Sequence, residues 1–168
     1  MTAWLTSSRS TDEMSITFRD IRDEDEAFLR EVYACTRAQE LALTPWNDEQ
    51  REAFLRMQFD AQHSHYRAQF PDAEYKIILE DTEPIGRVYI RRTEEIRILD
   101  ITILPAYRNR GLGLAMIREL MAEGASSGKA VSIWVEHFNP SRNLFDRLGF
   151  SQIQDDGYSL LLEWRPPK

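Results

Sequence analysis

The chain has 168 residues, enough for one compact domain with a substantial core. Apolar residues make up 42% and charged residues 29%, and no apolar run approaches the ~20 residues that a membrane helix needs, so no membrane partner is expected. The net charge of −7 argues against broad phosphate-backbone binding, which depends on clustered Lys and Arg, and so against nucleic acid as a partner.

The first 14 residues, Met1 to Met14, lack the basic and then apolar layout of a secretory signal. They read as a polar leader for which disorder is one expectation, followed by a single domain over residues 15–168. Cys35 is the only cysteine, which rules out an intrachain disulfide and points to a reducing, cytoplasmic setting. It follows Phe28 and Val32 at helical spacing, so a buried structural thiol is expected there. The acidic balance serves solubility, and it would also attract a cationic amine.

Ser15-Ile-Thr-Phe-Arg19 alternates as a first strand. Asp23 with Glu26 has the spacing of a helix-opening cap pair, and Phe28, Leu29, Val32, Tyr33 and Cys35 give the stripe of the helix that follows. Thr44-Pro45-Trp46 breaks that helix. Asn47 with Gln50 repeats the cap logic for a long second helix, whose apolar residues include Phe54, Met57 and Phe59 and which Pro71 stops. Strands over Tyr75–Glu80 and Ile85–Ile90 flank a turn at Asp81-Thr-Glu-Pro84. A long strand from Ile96 to Leu104 closes at Pro105. A helix from about Gly111 to Ala125, a strand Ala130–Glu136, a short helix Ser141–Leu148 with a C-cap glycine at Gly149, and a hairpin around Asp155-Asp156-Gly157 complete the order. Successive antiparallel strands followed by β-α-β crossovers imply an α/β fold. Its sheet is mixed and mostly antiparallel, with helices on both faces.

Chemistry concentrates in Leu104-Pro-Ala-Tyr-Arg-Asn-Arg-Gly-Leu-Gly-Leu114, which joins the end of a strong strand to the start of a strong helix. A helix start leaves backbone N–H groups without partners, and with the helix dipole they attract anions. Gly111 and Gly113 have no side chain to shield these donors, and Arg108 and Arg110 add positive charge. Residue chemistry alone gives a diphosphate cradle. A P-loop needs Gly-Lys-Ser or Gly-Lys-Thr, which is absent. A dinucleotide fingerprint needs a third glycine three residues after Gly113, where Met116 stands.

Arg108-Asn-Arg-Gly-Leu-Gly113 resembles the Arg/Gln-x-x-Gly-x-Gly/Ala signature of GNAT acetyltransferases. Asp100-Ile-Thr-Ile-Leu-Pro-Ala-Tyr107 resembles that family's strand and its entry to the loop. Further on, Asn139-Pro-Ser-Arg-Asn-Leu-Phe-Asp-Arg-Leu-Gly-Phe150 is similar to the family's second motif, Asn-x-x-Ala-x-x-Leu-Tyr-x-x-x-Gly-Phe. The resemblance implies a V-shaped split between two central strands and acetyl-CoA as donor, with no metal. It implies that backbone N–H groups of Arg108, Asn109, Arg110, Gly111, Leu112, Gly113 and Leu114 hold the pyrophosphate. The strand end at Ile103 and Leu104 would take the pantetheine arm, and a backbone N–H there would polarise the thioester carbonyl. Asn139 matches a position near the pantetheine, although a helix-capping role fits it too. Phe145 stands where many members carry the tyrosine that protonates the departing thiolate, and it has no hydroxyl. Tyr158 and Tyr107 are the alternative hydroxyls.

An acceptor ammonium with a pKa near ~10.4 must lose a proton before it attacks. The candidate bases are Asp100, which interrupts an apolar strand, and Glu136, which ends the next one. An ion pair with Arg87 or Arg91 would equally explain Asp100, and a solvated strand end would explain Glu136. His137 beside Glu136 is a further base candidate or a plain loop residue. His63 and His65 point to different faces of one helix and make an unpromising metal pair. Trp46 reads either as a pocket wall or as a hydrophobic staple beside Asn47. The expected activity is direct transfer of acetyl to a primary amine, with a small molecule or a peptide as acceptor; a homodimer is left open. Phe145 keeps a second reading in play, an acyl-CoA-binding sensor without turnover. A different nucleotide enzyme using the same cradle is the third.

Overall fold

A computed structural model describes residues 15–168; the polar leader lies outside the described residues. Seven strands form one sheet in the order β1-β2-β3-β4-β5-β7-β6. They are β1 (Ile16–Asp20), β2 (Glu74–Glu80), β3 (Glu83–Arg92), β4 (Ile96–Ile103), β5 (Val131–Glu136), β6 (Ser151–Asp155) and β7 (Ser159–Trp164). The helices are α1 (Glu26–Ala42), α2 (Asp48–Gln69), α3 (Leu112–Ser127) and α4 (Arg142–Arg147). β4 and β5 run parallel, whereas β1–β2, β5–β7 and β6–β7 are antiparallel, so the sheet is mixed and mostly antiparallel as expected. The chain divides into two compact units, residues 15–88 with 102–108 and residues 89–101 with 109–168.

In the first unit, Leu29 and Tyr33 of α1, Phe59 of α2 and Ile77 of β2 form a buried cluster, with Phe28, Leu55 and Leu79 packed against it. Burial of each large side chain contributes about 1.5–3 kcal/mol, so a few such residues suffice to fix both helices. Met57, expected in this core, is 58% exposed, because it sits two residues from Phe59 and therefore on another face of α2. Cys35 is half-buried rather than buried. Its thiol donates to Glu31 O at 3.3 Å, and loss of solvent raises its pKa.

The entry to α1 differs from the Asp23–Glu26 expectation. Asp23–Asp25 is a short 3-10 turn, and Asp25 carries the capping role. Its carboxylate accepts from Arg22 N at 2.8 Å and takes both guanidinium arms of Arg19, at 2.7 and 2.8 Å. The Asn47–Gln50 box closes in both directions, at 2.9 and 3.0 Å. The turn between β2 and β3 shrinks to Asp81-Thr82, with Asp81 left-handed at φ 54°, and Glu83 and Pro84 already belong to β3.

In the second unit, Ile96, Ile98, Val131, Ile133, Leu160 and Leu162 are buried from the strands, and Met116, Ile117 and Leu120 from α3. Phe145 of α4 meets Phe150 edge-on, ring centroids 5.1 Å apart. Gly149 takes φ 90° after α4, as its C-cap spacing requires. β6, last in the strand order, is exposed along its length, and its register with β7 shifts between Gln152 and Gln154. A bulge of that kind is a common device on an outer strand, since it discourages further pairing.

Candidate active site

β4 and β5 pair over only three residues, Ile96 with Val131, Arg97 with Ser132 and Ile98 with Ile133. Both strands then continue, β5 to Glu136 in register with β7, so among the described residues the parallel ladder stops while its two strands do not. Asp100 lies on β4 two residues past the last rung and is half-buried. Glu136 is the last residue of β5, opposite Ser159 of β7, and is also half-buried.

The end of β4 is fixed from β3. Leu104 N donates to Ile85 O at 2.8 Å. The expectation that this N–H polarises a thioester is therefore corrected for Leu104, whose donor is committed to the strand next door. Gly86, one residue on, explains the close approach: a Cβ there would lie 2.3 Å from Thr102 O. Sequence reasoning missed Gly86, although a glycine inside an apolar strand is a standard mark of close backbone contact.

After Leu104 the chain makes a 3-10 turn over Pro105–Tyr107, closed by Tyr107 N to Leu104 O at 2.9 Å and Arg108 N to Pro105 O at 3.2 Å. The Arg108 N–H is thus used inside the turn, which removes it from the expected phosphate donors. Its side chain also turns back, Nε donating to Ile103 O at 2.7 Å. Asn109 (φ 62°) and Gly111 (φ 76°) are both left-handed, which curls the loop into the start of α3. The first helical bond joins Ala115 N to Gly111 O at 3.0 Å, so the N–H groups of Leu112, Gly113 and Leu114 precede any intrahelical acceptor. A Cβ on Gly111 would meet no atom of the described residues within 4 Å. The first turn of α3 contains no acidic residue, whereas that of α2 holds Asp48 and Glu49. An open backbone, an uncompensated dipole and exposed Arg108 and Arg110 make this junction fit a diphosphate.

Asn139 uses Oδ1 to accept from Ser141 N at 2.9 Å, in the turn before α4. It is also six residues from Phe145, one short of the asparagine-to-tyrosine spacing of the motif it resembles. Alignment through Gly149-Phe150 therefore carries Phe145 but not Asn139. The Phe145 ring is 3% exposed. His137 binds Asp155 Oδ1 through Nε2 at 2.8 Å, which joins the loop after β5 to the β6–β7 hairpin. Tyr158, on that hairpin, is 64% exposed. Trp46 packs on Phe54, centroids 5.1 Å apart, beside the Asn47 cap. Arg87 is buried and donates to Gln62 Oε1 at 3.0 Å. Among the described residues no helix is long and apolar enough to cross a membrane.

A sequence model of the acetyltransferase (GNAT) family matches residues 29–150. None of the curated proteins matches the chain in sequence. Solved structures share the fold. The PaiA N-acetyltransferase from Thermoplasma acidophilum, in complex with coenzyme A, is 20% identical with a TM-score of 0.64, covering 90% of this chain and 99% of that one. An acetyltransferase from Thermus thermophilus is 20% identical with a TM-score of 0.62, covering 90% and 97%. Arabidopsis thaliana NAA60, in complex with a bisubstrate analogue, is 19% identical with a TM-score of 0.53, covering 90% and 98%.

Proposed function

Since the chain belongs to the acetyltransferase (GNAT) family, we propose that it moves an acetyl group from acetyl-CoA to a primary amine by direct attack in a ternary complex. The observation that carries the donor assignment is the β4–α3 junction: left-handed Asn109 and Gly111, three helix-start donors, and a first turn without acid. Acetyl-CoA, when bound, supplies the activated acetyl group as a thioester. The N–H groups of Leu112, Gly113 and Leu114 bind its pyrophosphate, with Asn109, Arg110 and Gly111 beside them and the Arg108 side chain adding charge. Main-chain groups around Ile103 receive the pantetheine arm along the end of β4.

Asp100 or Glu136 takes the proton that the acceptor ammonium must lose. The acceptor belongs to the class of small or peptidyl primary amines, and the acidic surface favours a cationic one. Phe145 can donate no proton, so any acid at the leaving sulfur comes from another group or from solvent. The same phenylalanine supports a second reading, a CoA-binding sensor without turnover.

Acetyl transfer to a broad amine panel, measured beside calorimetry with CoA, tests both readings. Turnover on at least one amine, with Asp100→Asn or Glu136→Gln lowering kcat by about 10²–10⁴-fold, supports the transferase. Micromolar CoA binding without turnover on any amine favours the sensor. Absence of CoA binding refutes the donor assignment in both.

A further inference from the structure

Within the first unit, away from the β4–α3 junction in sequence, α1, α2 and the turn before α1 line a half-open cavity of 290 Å³. That lies at the lower edge of the roughly 300–1,000 Å³ typical of small-molecule sites, too small for a nucleotide coenzyme and suited to a compact ligand. Its floor is apolar: Leu29 and Phe59, each 2% exposed, line it together with Ile21.

The rim carries both signs of charge. Asp60, His63, Ser64 and Arg67 recur at i, i+3, i+4 and i+7 along α2, which puts them on one helical face. The turn before α1 supplies Arg22 and Asp23. Not all of these charges are equally available. Glu26, also on the rim, is paired with Arg30, and the Arg67 guanidinium lies over the Tyr75 ring at 4.4 Å. The Asp23 and Asp60 carboxylates make no hydrogen bond or ion pair among the described residues, although Asp60 lies close enough to Arg30 and His63 to influence both electrostatically. The His63 imidazole stacks on Phe59, centroids 5.5 Å apart and planes 21° from parallel. Burial first, then Arg67 and Arg87, hold its pKa below the ordinary value of 6.5, so it adds neutral hydrogen-bonding capacity near neutral pH.

We propose that this cavity binds a small zwitterion with an apolar body, the chemistry of a free aliphatic amino acid. The ammonium would pair with Asp60 and Asp23, the carboxylate with Arg22, and the side chain would rest on Leu29 and Phe59. A ligand with a single charge would leave one sign of the rim unanswered while still losing its own hydration.

Calorimetry and ¹H–¹⁵N chemical-shift titration of the full chain with leucine, leucinamide and 4-methylpentanoate test this, with and without saturating CoA. The expected result is saturable leucine binding at least about 10-fold tighter than either singly charged analogue, with shifts at residues 59–67. Asp60→Asn and Arg22→Gln should each weaken leucine about 10-fold while CoA affinity stays unchanged. Tighter or equal binding of leucinamide would replace the zwitterion with a simple amine and overturn the proposal. So would no saturable leucine binding, or leucine affinity unmoved by both variants. Because CoA binding is read in the same samples, failure here is distinct from failure of the donor site.

Discussion

Gly86 and Thr102 touch backbone to backbone: a methyl group on Gly86 would sit 2.3 Å from the Thr102 carbonyl oxygen and 3.0 Å from the Ile103 Cα. Neither obstacle is a flexible side chain, so relief requires movement of β4 at the end that leads into the proposed coenzyme loop. Gly86→Val is expected to cost about 1–3 kcal/mol, as overpacking does, and to weaken CoA affinity as well. Thermal melts and calorimetry on the same variant check this; a variant that binds CoA as tightly as the parent would separate β3 from the site.

Gly111→Glu makes the opposite kind of change. The side chain has room, and the left-handed φ of 76° costs about 1–2 kcal/mol. That corresponds to a Tm lowered by only a few degrees in a chain of this length. The added carboxylate faces the proposed diphosphate donors, so CoA affinity should fall by at least about 100-fold in a folded protein. Circular dichroism with CoA titration is the measurement. Retained affinity would remove the pyrophosphate from this loop.

Asp25 links β1 to the start of α1. Its hydrogen bonds from Arg19 and then from Arg22 N hold its carboxyl below the ordinary 3.8, against the opposing effect of burial. A lowered folded pKa means that the unfolded chain binds the proton more readily. The contribution is therefore complete above the ordinary carboxylate pKa and is lost as pH falls below about 4 and through the folded value. Asp25→Asn should destabilise by about 2 kcal/mol at neutral pH. The gap between variant and parent should close in acid. Urea denaturation at pH 7 and pH 3 reads both, and a gap of equal size at the two values would contradict the assignment.

Phe145 is packed rather than exposed, with its ring edge-on to Phe150. Restoring the family's hydroxyl by Phe145→Tyr places a polar group where the phenyl ring is 3% exposed, at an expected cost of about 1–3 kcal/mol. No gain in kcat is expected. An increase in kcat, with a new basic limb in the pH profile, would show that the hydroxyl reaches the reacting sulfur.

Local chemistry made much of this readable in advance. The Asn47–Gln50 box and the Gly149 stop each depend on a few neighbouring residues, and spacing alone identifies them. What the sequence concealed depends on partners distant along the chain. Asp25 rather than Glu26 closes the α1 entry because Arg19 approaches from β1. Leu104 loses its free N–H to Ile85, a residue of another strand. Met57 has the composition of a core residue but the wrong helical phase. Gly86 was visible as a glycine, yet what it abuts depends on the pairing of β3 with β4.

The acid-free first turn of α3 also bears on robustness. An aspartate introduced there would interact favourably with the helix dipole by about 0.3–1 kcal/mol, as Asp48 and Glu49 can in α2. It would also repel the pyrophosphate proposed to bind there. Stability alone would gain from that substitution, whereas the proposed coenzyme binding would lose by it, and this chain carries no acid in that turn.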